Sequence, residues 1–148
     1  MNKERKHIVF LARWYPHRYD PMFGLFVQRH AEAAALFNDI TVIYCQQIEP
    51  QSRKVAKSQS RDASITPEKN EQYVIDTSNH KKFESVRTLE NNVDTIRVYY
   101  KKPKNKILSL IRFYRANMMA LKIGRDKSRP YDLIHVHILT RLGVIAWI

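Results

Sequence analysis

Five apolar residues in succession, Ile8 to Ala12, form the first readable element of the chain. A run without polar alternation is expected of a strand covered on both faces. Arg13 to Phe23 carries Pro16 and Pro21 among polar residues and reads as a loop, which Gly24 closes. A helix follows from Leu25 to about Phe37. At about 100° per residue, Phe26, His30, Ala33 and Phe37 share an apolar face, with Val27, Ala31 and Ala34 beside it and Gln28, Arg29 and Glu32 as the polar arc. Asn38-Asp39 ends the helix, and Ile40 to Cys45 is a second strand, completing a βαβ unit.

Then the pattern lapses. From Glu49 to Gln72 the only aliphatic residues are Val55, Ala56, Ala63 and Ile65, so a long polar insertion is expected over about 47–72. Tyr73 to Ile75 reads as a short strand. Alternation returns over Phe83–Leu89 and Val93–Tyr100, and the Asn91-Asn92 pair between them signals a turn, which predicts a β-hairpin. Lys104 to about Lys122 predicts a helix whose main apolar face, Ile107, Leu110, Ile111, Tyr114, Met118 and Leu121, is expected to pack on the sheet. Gly124 and Pro130 bound it. Tyr131 to His137 is a further buried strand, and Thr140 is placed to cap a last helix. Two turns later the sequence stops, leaving an apolar helix start uncovered, so the pattern reads as the N-terminal part of a longer protein. The fold expected is α/β: a parallel sheet with flanking helices and an inserted hairpin, with strands near 7–12, 40–45 and 132–137 side by side at its centre.

Charge changes the picture once it is placed along the chain. The net charge of the 148 residues is +12, and residues 97–129 hold 11 basic side chains against Asp126 alone. That concentration points to a localised anionic partner. Cys45 is the sole cysteine, which excludes an intramolecular disulfide and any Cys-rich zinc site and fits a reducing compartment. The apolar stretches fall far short of the ~18 residues of a membrane span. With three glycines, a Gly-rich nucleotide-binding loop is excluded, and no Gly-x-Ser-x-Gly elbow occurs.

Three segments together resemble one family. Trp14-Tyr15-Pro16 and Pro21-Met22-Phe23-Gly24-Leu25-Phe26-Val27 follow the first strand; Tyr131-Asp132-Leu133-Ile134-His135-Val136-His137 comes later; Thr140-Arg141-Leu142-Gly143 follows at once. These are similar to the N-terminal domain of a retaining GT-B glycosyltransferase of family 4, over roughly residues 7–46 and 93–148. The resemblance implies a Rossmann-like acceptor domain, incomplete here, facing a second domain that binds the nucleotide-sugar donor through a Glu-x7-Glu motif. That second domain is not in this sequence, so the chain alone is expected to be inactive. The implied activity is transfer of a sugar to a glycan or lipid-linked acceptor in surface polysaccharide synthesis, in the cytoplasm and peripheral to the inner face of the plasma membrane. No metal or other cofactor is expected, since the nucleotide-sugar is itself the substrate.

Individual residues acquire expected roles. His137 lies at the carboxyl end of its strand, where open α/β sheets place ligands, and the resemblance implies that it contacts the transferred sugar. His135 shares its strand face, and with no third ligand nearby the pair makes no metal site. Gly24, at a helix N-terminus, is expected near the donor diphosphate, although the adjacent glycine usual in the family is missing. Arg141 and Arg18 are candidates for phosphate or an acidic acceptor, with Arg13 beside them. His30, amid an apolar helix face, reads as structural. Cys45 reads as a small buried hydrophobe.

Lys104, Arg112, Arg115 and Lys122 cluster on one side of their helix with Leu108 and Met119 among them, and Lys101, Lys102 and Lys106 are close by. That mixture suits an anionic membrane surface. Two other classes compete: a basic nucleic-acid-binding module and a non-catalytic α/β interaction domain. Against the former, aromatic residues are not interleaved with the basic stretch, and no helix-turn-helix or RNA-binding signature occurs, so no nucleic-acid partner is expected.

Overall fold

The computed structural model describes residues 5–48, 72–73, 83–125, 130–137, 142–143 and 145–146. The elements are β1 (His7–Ala12), α1 (Leu25–Ala35), β2 (Asp39–Ile48), β3 (Gln72–Tyr73), β4 (Phe83–Glu90), β5 (Val93–Lys101), α2 (Lys106–Gly124) and β6 (Leu133–His137). They form an α/β domain around one six-stranded sheet in the order β3-β4-β5-β2-β1-β6. The four strands β5-β2-β1-β6 run parallel, and β4 and β3 join antiparallel at one edge. The expected strands at 7–12, 40–45 and 132–137 are indeed neighbours, but β6 stands at the edge of the described sheet rather than in its centre.

The hairpin is more than an insertion. Its turn residues Asn91 and Asn92 have φ of 48° and 64°, the paired left-handed conformation that matches the twist of the flanking strands. Its second strand, β5, then enters the parallel core and pairs with β2 from Ile40↔Val93 to Ile48↔Lys101. That partner carries β2 three residues past Cys45. Most of the polar insertion and the Thr140 cap lie outside the described residues.

The two faces of the sheet are covered by different helices. Val9, Leu11, Ile43, Ile96 and Val98 point to α2, where Phe113, Ala116 and Ala120 meet them. Phe10, Ala12, Val42, Tyr44 and Val93 point to α1, where Val27, Ala31 and Ala35 meet them. Each helix therefore docks through residues three or four apart, most of them small. Gly124 continues the α2 series; a Cβ there would sit 2.4 Å from the Tyr131 hydroxyl and 2.8 Å from Ile96 Cδ1. Asn117 is buried on the same side and spends its amide on the Phe113 carbonyl at 2.8 Å.

This overturns the expected orientation of α2. Of the six residues expected to face the sheet, Tyr114 and Leu121 pack against its core, but Ile107, Leu110, Ile111 and Met118 do not; Ile107 is 69% exposed and Ile111 46%. The cause is distance. Alanine and glycine let a helix backbone approach the strands closely, and a hydropathy wheel gives such residues little weight against isoleucine and leucine. Similarly, Phe26 and His30 of α1 are exposed at its flank rather than buried against the sheet, and Phe37, beyond the helix end, is 76% exposed.

Candidate functional site

The strand order places a crevice. From β1 the chain turns into α1 on one face, whereas after β6 Leu142 and Ile145 join the core on the α2 face. The carboxyl ends of these adjacent parallel strands, aligned at Ala12↔His137, therefore lead to opposite sides of the sheet. That divergence is the switch point at which open α/β sheets bind ligands.

The loop between β1 and α1 is held firmly. Tyr15 is fully buried, and its hydroxyl lies 3.5 Å from that of Thr95. His17 stacks on Tyr44 with centroids 5.7 Å apart and planes 16° apart; burial pushes its pKa down, against the pull of Asp20. His17 and Asp20 exchange backbone hydrogen bonds of 3.1 and 3.0 Å, and the Asp20 carboxylate accepts from the Met22 N–H at 3.1 Å. From below, Arg97 Nε donates to the Pro16 carbonyl at 2.9 Å, while its other nitrogens bind the Glu90 carboxylate at 2.7 and 2.8 Å. Burial alone raises the Glu90 pKa, but the Arg97 hydrogen bonds and charge and the Thr88 hydroxyl outweigh it, and the net direction is down.

Gly24 caps α1 in the left-handed region at φ 69°. A Cβ there would lie 2.5 Å from the Trp14 carbonyl carbon and 2.7 Å from Tyr15 N. Whatever Gly24 does for a ligand, it first lets the helix start press on the Trp14–Tyr15 peptide.

On the other side of the crevice His137 joins a group of rings. Its centroid is 5.4 Å from Phe26, 6.2 Å from His30 and 6.0 Å from His135. His135 in turn lies 4.5 Å from Phe10, and Trp14 meets Phe26 edge-on at 6.2 Å. His137 Nε2 is buried and has no hydrogen-bond partner among the described residues. Desolvation, followed by the charges of His135 and His30, pushes the His137 pKa below its ordinary value, so the imidazole favours its neutral form. A neutral imidazole with a free nitrogen can donate to or accept from a ligand hydroxyl.

No family model matches the chain, and neither does any curated protein or solved structure.

Gly24 and His137 thus lie at the same carboxyl edge of the sheet, with Trp14 and Phe26 between them. Arg18 is engaged elsewhere: its guanidinium grips the Glu84 carboxylate at 2.5 and 2.8 Å and lies 4.1 Å from the Tyr99 ring centroid. Arg13 sits over Phe113 at 5.9 Å, and Arg141 lies outside the described residues. His30 does not sit inside a core; it is exposed beside His137. Phe26 and His30, one helical turn apart after the loop, were the available signal for that grouping, but periodicity alone assigns such a pair to the core. Cys45 is buried, and burial raises its thiol pKa.

Among the described residues, no group of three or more His, Cys, Asp or Glu side chains is placed to hold a metal ion. No described helix is long and apolar enough to cross a membrane. Lys104, Arg115 and Lys122 are exposed, and the partly exposed Arg112 donates to the Lys101 carbonyl at 2.9 Å.

Proposed function

We infer that this chain is the acceptor-side domain of a retaining GT-B glycosyltransferase, working opposite a nucleotide-sugar domain. The observation that carries the reading is the unpartnered Nε2 of His137 at the switch-point crevice, across from the loop capped by Gly24. In this reading His137 binds a hydroxyl of the transferred sugar, and the anchored loop sets the position of the α1 N-terminus toward the donor diphosphate. Binding and orientation are the domain's contributions to the reaction.

The test is sugar transfer by the chain joined to its nucleotide-sugar domain, with labelled nucleotide-sugars and lipid-linked or glycan acceptors. His137→Ala should lower kcat by about tenfold or more, a loss of roughly 1.4 kcal/mol, with little change in thermal stability. Transfer within about threefold of the parent, under ~1 kcal/mol, would remove His137 from its role. Absence of transfer with every donor would remove the function.

The acceptor in this reading arrives at an anionic membrane. Its support is the outer side of α2, where Ile107, Leu108 and Ile111 are exposed alongside Lys104, Lys106 and Arg115. Each basic residue near such a surface contributes on the order of 1 kcal/mol. Co-sedimentation with anionic vesicles should fall at high salt and on changing Arg112, Arg115 and Lys122 to Ser. Equal pelleting with neutral vesicles would contradict it.

A further inference from the structure

A second concavity lies on the flank of the sheet, between the C-terminal half of α2 and β6. Its volume is about 550 Å³, within the rough range of 300–1,000 Å³ typical of small-molecule sites. The walls are apolar: Met118 and Leu121 from α2, Leu133 and Ile134 from β6, and Ile145. Met118 stays 36% exposed and Leu133 53%, so the groove opens to solvent along an apolar lip. Lys122 and Arg125 also line it, and both are exposed. Long basic side chains of this kind cover apolar surface with their stems and keep their charged heads in water. The one carboxylate in the lining, Asp132, accepts the His7 N–H at 2.7 Å.

We propose that this groove binds a single-chain anionic amphiphile, with its hydrocarbon chain against Met118, Leu121, Leu133 and Ile145 and its headgroup against Lys122 and Arg125. An apolar trough alone fits any neutral hydrocarbon, and two cations alone fit free phosphate. Their juxtaposition calls for both properties in one molecule, and the surrounding stretch, with 11 basic residues over 97–129 against one acidic, repels a cationic one. The site is independent of the transferase reading, since it lies away from the crevice of His137 and uses none of its residues.

Calorimetric titration of the whole chain tests this with decyl phosphate below its micelle concentration. Decanol and inorganic phosphate serve as the two halves of the molecule. Saturable binding of one equivalent is expected, at least about tenfold tighter than either half. Lys122→Glu with Arg125→Glu, and separately Leu133→Asp, should each weaken it by about tenfold or more. Arg29→Glu, an exposed position on α1 outside the groove, should leave it unchanged. Anionic vesicles carrying a fluorescent single-chain lipid identify the source: depletion of the probe from the vesicles assigns a membrane lipid, and binding only of the free monomer assigns a soluble amphiphile. The proposal is overturned if binding does not saturate, if inorganic phosphate binds equally well, or if Arg29→Glu weakens binding as much as the groove variants. It is also overturned if sedimentation shows the groove occupied by a second copy that decyl phosphate does not displace. Sugar transfer measured in the Leu133→Asp variant keeps the readings apart, because it should be retained even where amphiphile binding is lost.

Discussion

Both helices dock on the sheet through side chains three or four apart, yet what each turns away from the sheet differs in kind. α1 presents Val27, Ala31 and Ala35 inward and leaves Phe26 and His30 at its flank. α2 presents Ala116, Ala120 and Gly124 inward and leaves Ile107, Leu108, Ile111 and Met118 outside, among lysines and arginines and with no acidic residue in the helix. On α1 the rings of Phe26 and His30 meet His137 of β6 at the carboxyl edge. On α2 Ile107, Leu108 and Ile111 stand exposed among lysines and arginines, and Met118 lines the groove beside β6. The same docking device thus yields a ring-lined crevice on one face and a basic, apolar surface on the other. Exposed apolar side chains in this number usually mark contact with something else.

The comparison breaks most sharply at the point where α1 begins. Gly24→Ala combines a left-handed φ with a Cβ driven into the Trp14–Tyr15 peptide, and the expected loss is on the order of 3 kcal/mol. Urea unfolding measures it; a loss below ~1 kcal/mol would mean that the loop can move away and is not held as described. A smaller effect is expected for the spine of α2. Ala120→Leu overpacks a fully buried position and should cost about 2 kcal/mol, whereas Ile111→Ser on the outer side should cost less than ~0.5 kcal/mol. The reverse ranking in denaturant midpoints would restore the orientation that hydropathy alone favours.

Below these comes the ion pair beneath the loop. Glu90→Gln leaves Arg97 without its charged partner and should cost about 1–2 kcal/mol at neutral pH. Because the folded Glu90 carboxyl is held below its ordinary pKa, its contribution is complete above about pH 4.5 and is lost as pH falls through the folded value. Stability curves of parent and variant should therefore converge in acid; parallel curves would show that the pair contributes nothing specific. The smallest effect belongs to His137. Its pKa is depressed in the fold, so its burial weakens folding as pH drops below about 6.5. The denaturation midpoint of His137→Gln should accordingly fall less than that of the parent between pH 7.5 and 5.5. An imidazole NMR titration placing His137 above 6.5 would reverse the sign.

Much of the architecture was legible in the chain. Ile8–Ala12 and Ile40–Cys45 announce strands buried on both faces, and β1 and β2 are parallel neighbours. Asn91-Asn92 announces the hairpin. Hidden from local pattern were the partner of β5 and the orientation of both helices. Strand order depends on pairings far apart in sequence, and helix orientation depends on how near the backbone can come, which Ala116, Ala120 and Gly124 decide without looking hydrophobic. Gly24 and His137 were legible as residues of the carboxyl edge of the sheet. The rings of His30 and Phe26 were not, because a histidine on an apolar stripe reads alike whether the stripe meets a core or a cleft. Arg18 shows the opposite limit: its carboxylate partner Glu84 lies 66 residues away.

The left-handed pair in the hairpin turn also bears on the order in which the chain assembles. β4 and β5 pair across two residues, whereas β1 must find β6 across most of the sequence, as the His7 bond to Asp132 over 125 residues illustrates. Local closure is fast and distant closure slow. The hairpin is therefore expected to form before its parallel neighbour joins, giving β2 a finished edge on which to align. Replacing Asn92 with glycine, which accepts that backbone freely, should leave the refolding rate close to that of the parent. Replacing it with valine should slow refolding more than it accelerates unfolding, the signature of a residue already in place when the barrier is crossed.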